Sequence, residues 1–236
     1  MDRRGAWRTW LSVVPAMLVP VGGALLYFVF LREHAAARAA YGATKLFTLV
    51  WPLAAVWLVL RERLPALELG HRRHRRALPL GLAAGAAVVL LMLGLMQTPF
   101  GDVARAHSGA IRAKAEGLGV LRHYWLFTGF LCVFHSLLEE YYWRWFVFGR
   151  LRRVVGVRAA HLLAGAAFAA HHIVVLSQFF PMGWGVALGG LVGVGGILWS
   201  VLYARQRTLA GAWISHLLVD LGIMIIGHRL LTTTVY

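Results

Sequence analysis

The sequence has little of what a soluble enzyme carries. Only 14% of its 236 residues are charged, and just nine of them are acidic. An ordinary soluble domain has a charged share of about 25%, so this chain lacks the polar surface that such a domain needs. Its one cysteine, Cys132, excludes an intramolecular disulfide and leaves the redox compartment undetermined. The scarcity of acids also makes any carboxylate inside an apolar stretch conspicuous.

Apolar residues dominate the chain instead. They make up 60% of it, and the mean hydropathy is +0.68. A transmembrane helix needs about 20 consecutive apolar residues, and seven runs are candidates: 10–31, 43–60, 77–97, 124–148, 159–180, 184–203 and 209–226. Because these runs fill almost the whole chain, we predict an all-α polytopic membrane protein of about seven, or seven to eight, transmembrane helices. We expect a single integral membrane domain over residues 1–236.

The cations lie between the apolar runs, not on one patch. The net charge is +15, but every second connection is rich in arginine, which is typical of membrane topology and not of a nucleic-acid-binding surface. The arginines of these connections are Arg3, Arg4, Arg8, Arg61, Arg63, Arg72, Arg73, Arg75, Arg76, Arg150, Arg152, Arg153, Arg158, Arg205 and Arg207. We therefore predict a cytoplasmic N-terminus and, with seven spans, an external C-terminus. The preference for arginine over lysine favours a bacterial source and the inner (plasma) membrane.

Small residues crowd the last three runs. Gly189 and Gly193 have the GxxxG spacing that lets membrane helices approach closely. We interpret this pattern as helix packing within the protein.

Ionisable groups within the fourth run need a partner or a function, because they are costly inside a bilayer. Glu140 and Arg144 are four residues apart and can form an ion pair on one face of a helix. Glu139 lies on a face turned by about 100°. One glutamate can therefore be held by Arg144 while the other faces a cavity.

Two later runs supply histidines at a similar depth. His172 lies near the end of the fifth run, and His216 and Asp220 lie four apart in the seventh. At about 1.5 Å per residue, Glu139, His172 and His216 are about 15, 20 and 13 Å from the cytoplasmic ends of their helices. We expect these three groups to share an intramembrane active-site cavity. We expect His171 to point elsewhere on its helix.

These residues form three motifs in a familiar order. Glu139 to Arg144 reads EExxxR, Phe168 to His172 reads FxxxH, and His216 to Asp220 reads HxxxD. The chain resembles the CPBP family, the type II CAAX prenyl endopeptidase and bacteriocin-processing group, also called Abi proteins. The resemblance covers roughly residues 131–221, and we place the catalytic core at about 122–227.

The resemblance implies a glutamate-type intramembrane protease that hydrolyses a peptide bond with activated water. By position, Glu139 is the general base and His172 assists it, while Glu140 and Arg144 form an orienting ion pair. His216 and Asp220 occupy the oxyanion position, where many members have asparagine in place of Asp220. Since an ionised carboxylate cannot donate a hydrogen bond, Asp220 is expected either to orient His216 as the donor or to take part in the oxyanion site itself.

Other functions fit the same residues. Glu139, His172 and His216 could hold zinc in a zinc-dependent membrane protease, although the sequence has no HExxH motif. A transporter or proton relay would also use buried glutamate and histidine, and a non-catalytic scaffold is a further alternative. We expect no cofactor, with zinc as the minority alternative. The expected partners are the lipid bilayer and a membrane-anchored protein or peptide substrate, which is a prenylated C-terminus, a leader peptide or a C-terminal sorting tail.

Overall fold

Helices make up every regular element of the described chain. The computed structural model describes residues 3–31, 34–64, 72–117 and 119–232. Nine helical segments follow one another: α1 Arg3–Phe30, α2 Ala36–Val59, α3 Arg72–Leu95, α4 Pro99–Ala106, α5 Ser108–Gly117, α6 Leu121–Leu151, α7 Val157–Leu176, α8 Met182–Gln206 and α9 Ala210–Thr232.

The predicted all-α membrane fold is confirmed. Six of these helices, α1, α2, α3, α7, α8 and α9, are long and apolar enough to cross a membrane. A seventh span is present if α5 and α6 count together as one broken span. The fourth apolar run lies in α6, whose glutamates and arginine make it the most polar of the expected spans.

Helix α6 is not a regular α-helix. Wide π turns interrupt it at Leu131–His135 and again at Glu140–Phe148. The N–H of Gly149, for example, donates to the carbonyl of Arg144, five residues earlier. Such turns change the rotation per residue and are common at functional sites. The uniform 100° rotation assumed for this helix is therefore wrong from Glu140 onward.

The chain forms two compact units that interleave in sequence. The first comprises Met1–His71 and Leu138–Arg207, and the second comprises Arg72–Leu137 and Thr208–Tyr236. Helix α6 contributes its C-terminal half to the first unit and its N-terminal half to the second. The expectation of one membrane domain stays a prediction.

Polar bonds anchor the C-terminal half of α6 within the first unit. Tyr142 donates its hydroxyl to the carbonyl of Ala16 on α1, at 2.7 Å. Tyr141 donates to the carbonyl of Leu49 on α2, at 3.1 Å. Beyond the end of α6, Glu62 accepts hydrogen bonds from Arg150 and Arg153, each at 2.5 Å. These bonds hold the glutamate-bearing segment of α6 between α1 and α2.

Helices α7 and α8 pack closely because glycines line their contact. A side chain at Gly193 would meet Cβ of Ala169 at 2.8 Å, and one at Gly189 would meet the backbone N of Ile173 at the same distance. The interpretation of the GxxxG spacing as internal helix packing is thus confirmed. This contact brings the histidine end of α7 against α8.

In the second unit, α9 packs on α3 and on the first half of α6. Tyr124 donates to the carbonyl of Met224 at 2.6 Å, and the indole of Trp213 donates to the carbonyl of Val133 at 3.1 Å. Gly85 on α3 has room only for a hydrogen, because a Cβ would lie 2.9 Å from the carbonyl of Ser215. The helix that carries His216 is therefore closely held.

Candidate active site

One carboxylate and two imidazoles meet in the first unit. The side chains of Glu139 on α6 and of His171 and His172 on α7 each bring one ligand-type atom within 4.8 Å of the others. All three residues are half-buried. The expected meeting of Glu139 with His172 is therefore present. The site also contains a histidine that the motifs do not include.

A backbone hydrogen bond defines which nitrogen of His172 is basic. Its Nδ1 lies 2.9 Å from the carbonyl oxygen of Phe168. Since a carbonyl can only accept, Nδ1 must carry a proton. In the neutral ring, Nε2 then has a free lone pair that can take a proton from water.

The expectation that His171 points away is wrong. Its Nε2 lies 3.8 Å from Oε1 of Glu139, and its ring stacks on Trp143 with 5.5 Å between centroids and 2° between planes. The buried face of α7 passes between residues 171 and 172, so both histidines turn toward α6. A sequence signal was present, because Ala164, Phe168 and His171 share the i, i+4, i+7 face of a helix.

Behind this site, Glu140 and Arg144 form a fully buried ion pair. Nη1 of Arg144 lies 3.3 Å from Oε1 of Glu140, and the side chains are 1% and 0% exposed. The guanidinium also lies over the rings of Phe168, at 4.6 Å, and Trp199, at 4.9 Å. The predicted pairing is present, and contacts from α7 and α8 fix its orientation.

Helix α8 makes room for that guanidinium. Nη2 of Arg144 lies 3.4 Å from the carbonyl of Gly196, and a Cβ at Gly196 would meet the ring of Phe168 at 2.9 Å. A larger residue here would displace the ring or the arginine. Gly196 is thus a structural part of the site that no motif includes.

The N-terminal half of the chain also reaches the site. Tyr41 on α2 interacts electrostatically with Glu139. Its ring packs against Tyr27 on α1, with 5.0 Å between centroids. Sequence reasoning found no motif in the first three apolar runs, because one tyrosine carries no spacing signal.

His216 and Asp220 meet in the second unit. Nε2 of His216 lies 3.6 Å from Oδ1 of Asp220, and the imidazole is buried. The spacing of four on α9 produces this contact, as expected. An imidazole held at Nε2 by a carboxylate can still donate from Nδ1. Its oxyanion role stays a prediction.

The first-unit cluster also has the ligand types of a metal centre. Two histidines and a glutamate are a ligand set found in catalytic zinc sites. The histidines in this cluster are His171 and His172, whereas the set expected from the sequence was Glu139, His172 and His216. A metal held by the observed cluster would therefore use the residue that the motifs leave out.

A family comparison matches the region that carries these motifs. The family model described as "Type II CAAX prenyl endopeptidase Rce1-like" matches residues 121–222. No curated protein and no solved structure matches the chain. The matched stretch contains EExxxR, FxxxH and HxxxD in full. Through residues 121–222, this multi-pass membrane protein belongs to the type II CAAX prenyl endopeptidase Rce1-like family of proteases.

Proposed function

We propose that the protein is a glutamate-type intramembrane endopeptidase in which Glu139 and His172 activate the attacking water. The observation that carries this proposal is the convergence of the Glu139 carboxylate and two imidazoles within 4.8 Å. The family match supports an endopeptidase of the CAAX type at the level of the family. The half-buried position of the cluster suits a reaction that needs a small amount of water within the bilayer.

In the proposed reaction, one water molecule is consumed. Glu139 takes a proton from the water as its oxygen attacks the scissile carbonyl carbon, and His172 accepts a hydrogen bond from the same water through Nε2. A tetrahedral intermediate with one oxyanion forms. When the C–N bond breaks, the proton held by Glu139 passes to the leaving nitrogen. The products are a new carboxyl end and a new amino end.

Glu140 and Arg144 serve this reaction indirectly. The ion pair leaves Glu139 as the nearby carboxylate that Arg144 does not hold, and it anchors α6 against Phe168 on α7. We assign Glu140 and Arg144 a positioning role, since both side chains are fully buried.

His216 and Asp220 supply the second element of the mechanism. We propose that His216 donates to the oxyanion and that Asp220 orients its ring. Support comes from the HxxxD spacing and from the 3.6 Å contact between the two side chains. Preorganised donors of this kind typically contribute about 3–4 kcal/mol of transition-state stabilisation.

The substrate class follows from the location of the site. A catalytic cluster carried by membrane-spanning helices acts on a polypeptide that is itself anchored in or on the bilayer. For a bacterial inner-membrane protein with a cytoplasmic N-terminus, we propose a peptide or a membrane-anchored C-terminal tail as the substrate, ahead of a prenylated C-terminus.

A zinc-dependent protease is the second candidate, because Glu139, His171 and His172 form a His2Glu ligand set. In this alternative, the ion would lower the pKa of the attacking water to about 7. The test is treatment with a chelator: loss of hydrolysis that added Zn²⁺ restores would favour zinc, and unchanged hydrolysis would favour the metal-free reaction.

Mass spectrometry of peptide termini tests the protease directly. Membranes from cells that express the wild type, Glu139→Ala or Glu116→Ala at equal levels are compared. Glu116 is an exposed glutamate on α5 that pairs with Arg112, so its variant is a matched control. New termini with the wild type and the control, but not with Glu139→Ala, are the expected result. Identical termini in all three samples would refute catalysis by Glu139 and return transport to consideration.

A further inference from the structure

We propose that His171 is a positioning residue for Glu139, holding the carboxylate in the orientation in which it accepts a proton from water. This inference rests on the proposed function. The FxxxH motif assigns a role to His172 alone, and nothing in the three motifs requires a histidine at residue 171. The argument depends on three features of the imidazole: its distance from Glu139, its packing and its tautomer.

The first feature is the contact itself. Nε2 of His171 lies 3.8 Å from Oε1 of Glu139. That distance is longer than a hydrogen bond, but contacts of catalytic groups often tighten only when substrate is bound. The side chains are 14% and 12% exposed. In such surroundings a polar contact acts more strongly than in water.

Packing fixes the plane of the ring. Trp143 stacks on His171 with 2° between planes, and Phe168 meets it edge to face at 5.5 Å. Trp143 and Phe168 are themselves buried, at 3% and 1% exposed. The imidazole therefore cannot turn freely, and Nε2 stays directed at Glu139.

Burial also favours one tautomer. Nδ1 of His171 is buried and has no hydrogen-bond partner among the described residues. A proton there would be a buried donor without an acceptor, which costs about 1–3 kcal/mol. The proton of the neutral ring is thus better placed on Nε2, where the carboxylate of Glu139 accepts.

The two neighbouring histidines then act in opposite senses. His172 carries its proton on Nδ1, toward Phe168, and offers Nε2 as an acceptor. His171 carries its proton on Nε2 and donates toward Glu139. With their ring centroids 4.0 Å apart, one histidine orients the base and the other receives the water.

A set of substitutions at residue 171 tests this role. His171→Phe keeps a flat ring against Trp143 but removes the N–H, and His171→Gln returns a side-chain N–H donor. The matched control is His161→Phe, ten residues earlier on α7, where the imidazole also stacks on an aromatic ring, that of Phe148. The probe is an internally quenched peptide spanning the first cleavage position mapped with the wild type.

The expected result is a split between kcat and KM. We expect His171→Phe to lower kcat by about 10- to 100-fold with KM nearly unchanged, because the base is misoriented while the substrate still binds. We expect His171→Gln to recover most of the lost kcat. His161→Phe is expected to behave as the wild type.

Several outcomes would overturn the inference. Wild-type kcat in His171→Phe would do so, and so would an equal loss in His171→Gln, since only the shape of the ring would then matter. If His171→Phe fails to fold in a thermal melt, His171→Met replaces it, because Met resembles Gln in length but has no N–H.

Parallel assays separate this inference from the proposed function. Hydrolysis that survives in Glu139→Ala refutes the function itself. An inactive Glu139→Ala beside a fully active His171→Phe refutes only the positioning role. Chelator-sensitive hydrolysis restored by Zn²⁺ would make His171 a metal ligand and would also overturn the inference.

Discussion

At the scale of single residues, the pair of Glu140 and Arg144 is the most constrained feature of the site. Both side chains are fully buried, and they lie 3.3 Å apart. We expect Glu140→Gln to lower the free energy of unfolding by about 3–5 kcal/mol, because it leaves a buried guanidinium without its counter-charge. Thermal unfolding of the detergent-solubilised variant measures this loss.

Removing both charges is the matched control. We expect the double variant Glu140→Gln, Arg144→Met to recover much of the lost stability, since an apolar replacement no longer leaves a charge uncompensated. Its proteolytic activity should stay low, because α6 loses its anchor to Phe168 and Gly196. A single variant as stable as the wild type would contradict the prediction and indicate that water or lipid reaches the arginine.

At the scale of elements, helix α8 controls the space around that arginine. Gly196 faces Phe168 and Arg144, and a Cβ there would lie 2.9 Å from the phenyl ring. We expect Gly196→Ala to lower the stability by about 1–3 kcal/mol through overpacking and to reduce hydrolysis by displacing Arg144. The melting temperature and the rate of appearance of new peptide termini are the measurements.

Gly190 on the same helix provides the control. A Cβ at Gly190 meets nothing within 4 Å, so Gly190→Ala should change stability by no more than about 1 kcal/mol, in the direction that alanine's helix propensity favours. Equal effects of the two substitutions would show that helix propensity, and not the space beside Phe168, governs this position.

At the scale of the whole molecule, α6 decides the topology. Six helices are long and apolar enough to span, and α6 adds a seventh only together with α5. With a cytoplasmic N-terminus and seven spans, the C-terminus lies outside. We therefore expect a C-terminal alkaline phosphatase fusion to be active and a C-terminal green fluorescent protein fusion to be dark.

A fusion within the chain checks the same topology independently. A reporter joined after residue 64, beyond α2, should give the cytoplasmic pattern under the positive-inside rule, because arginines surround that position. An active C-terminal fluorescent fusion combined with this result would mean that α6 does not cross the membrane fully.

The sequence by itself determined the features that depend on local spacing and on composition. Long apolar runs predicted an all-α membrane protein, and the structure confirms it. Spacings of four residues predicted the contacts of Glu140 with Arg144 and of His216 with Asp220, both of which are present. Such contacts follow from helix geometry alone, because residues four apart lie on one face whatever the helix packs against.

Only the tertiary structure decided which groups from different helices meet. The place of His171 beside Glu139 depends on the rotation of α7 about its axis, and a helix face that passes between two adjacent residues cannot be assigned from spacing. The contributions of Tyr41 and Gly196 depend on the packing of α2 and α8 against this site. The wide turns of α6 also change the direction of its side chains after Glu140, so the periodicity of a regular helix could not predict them.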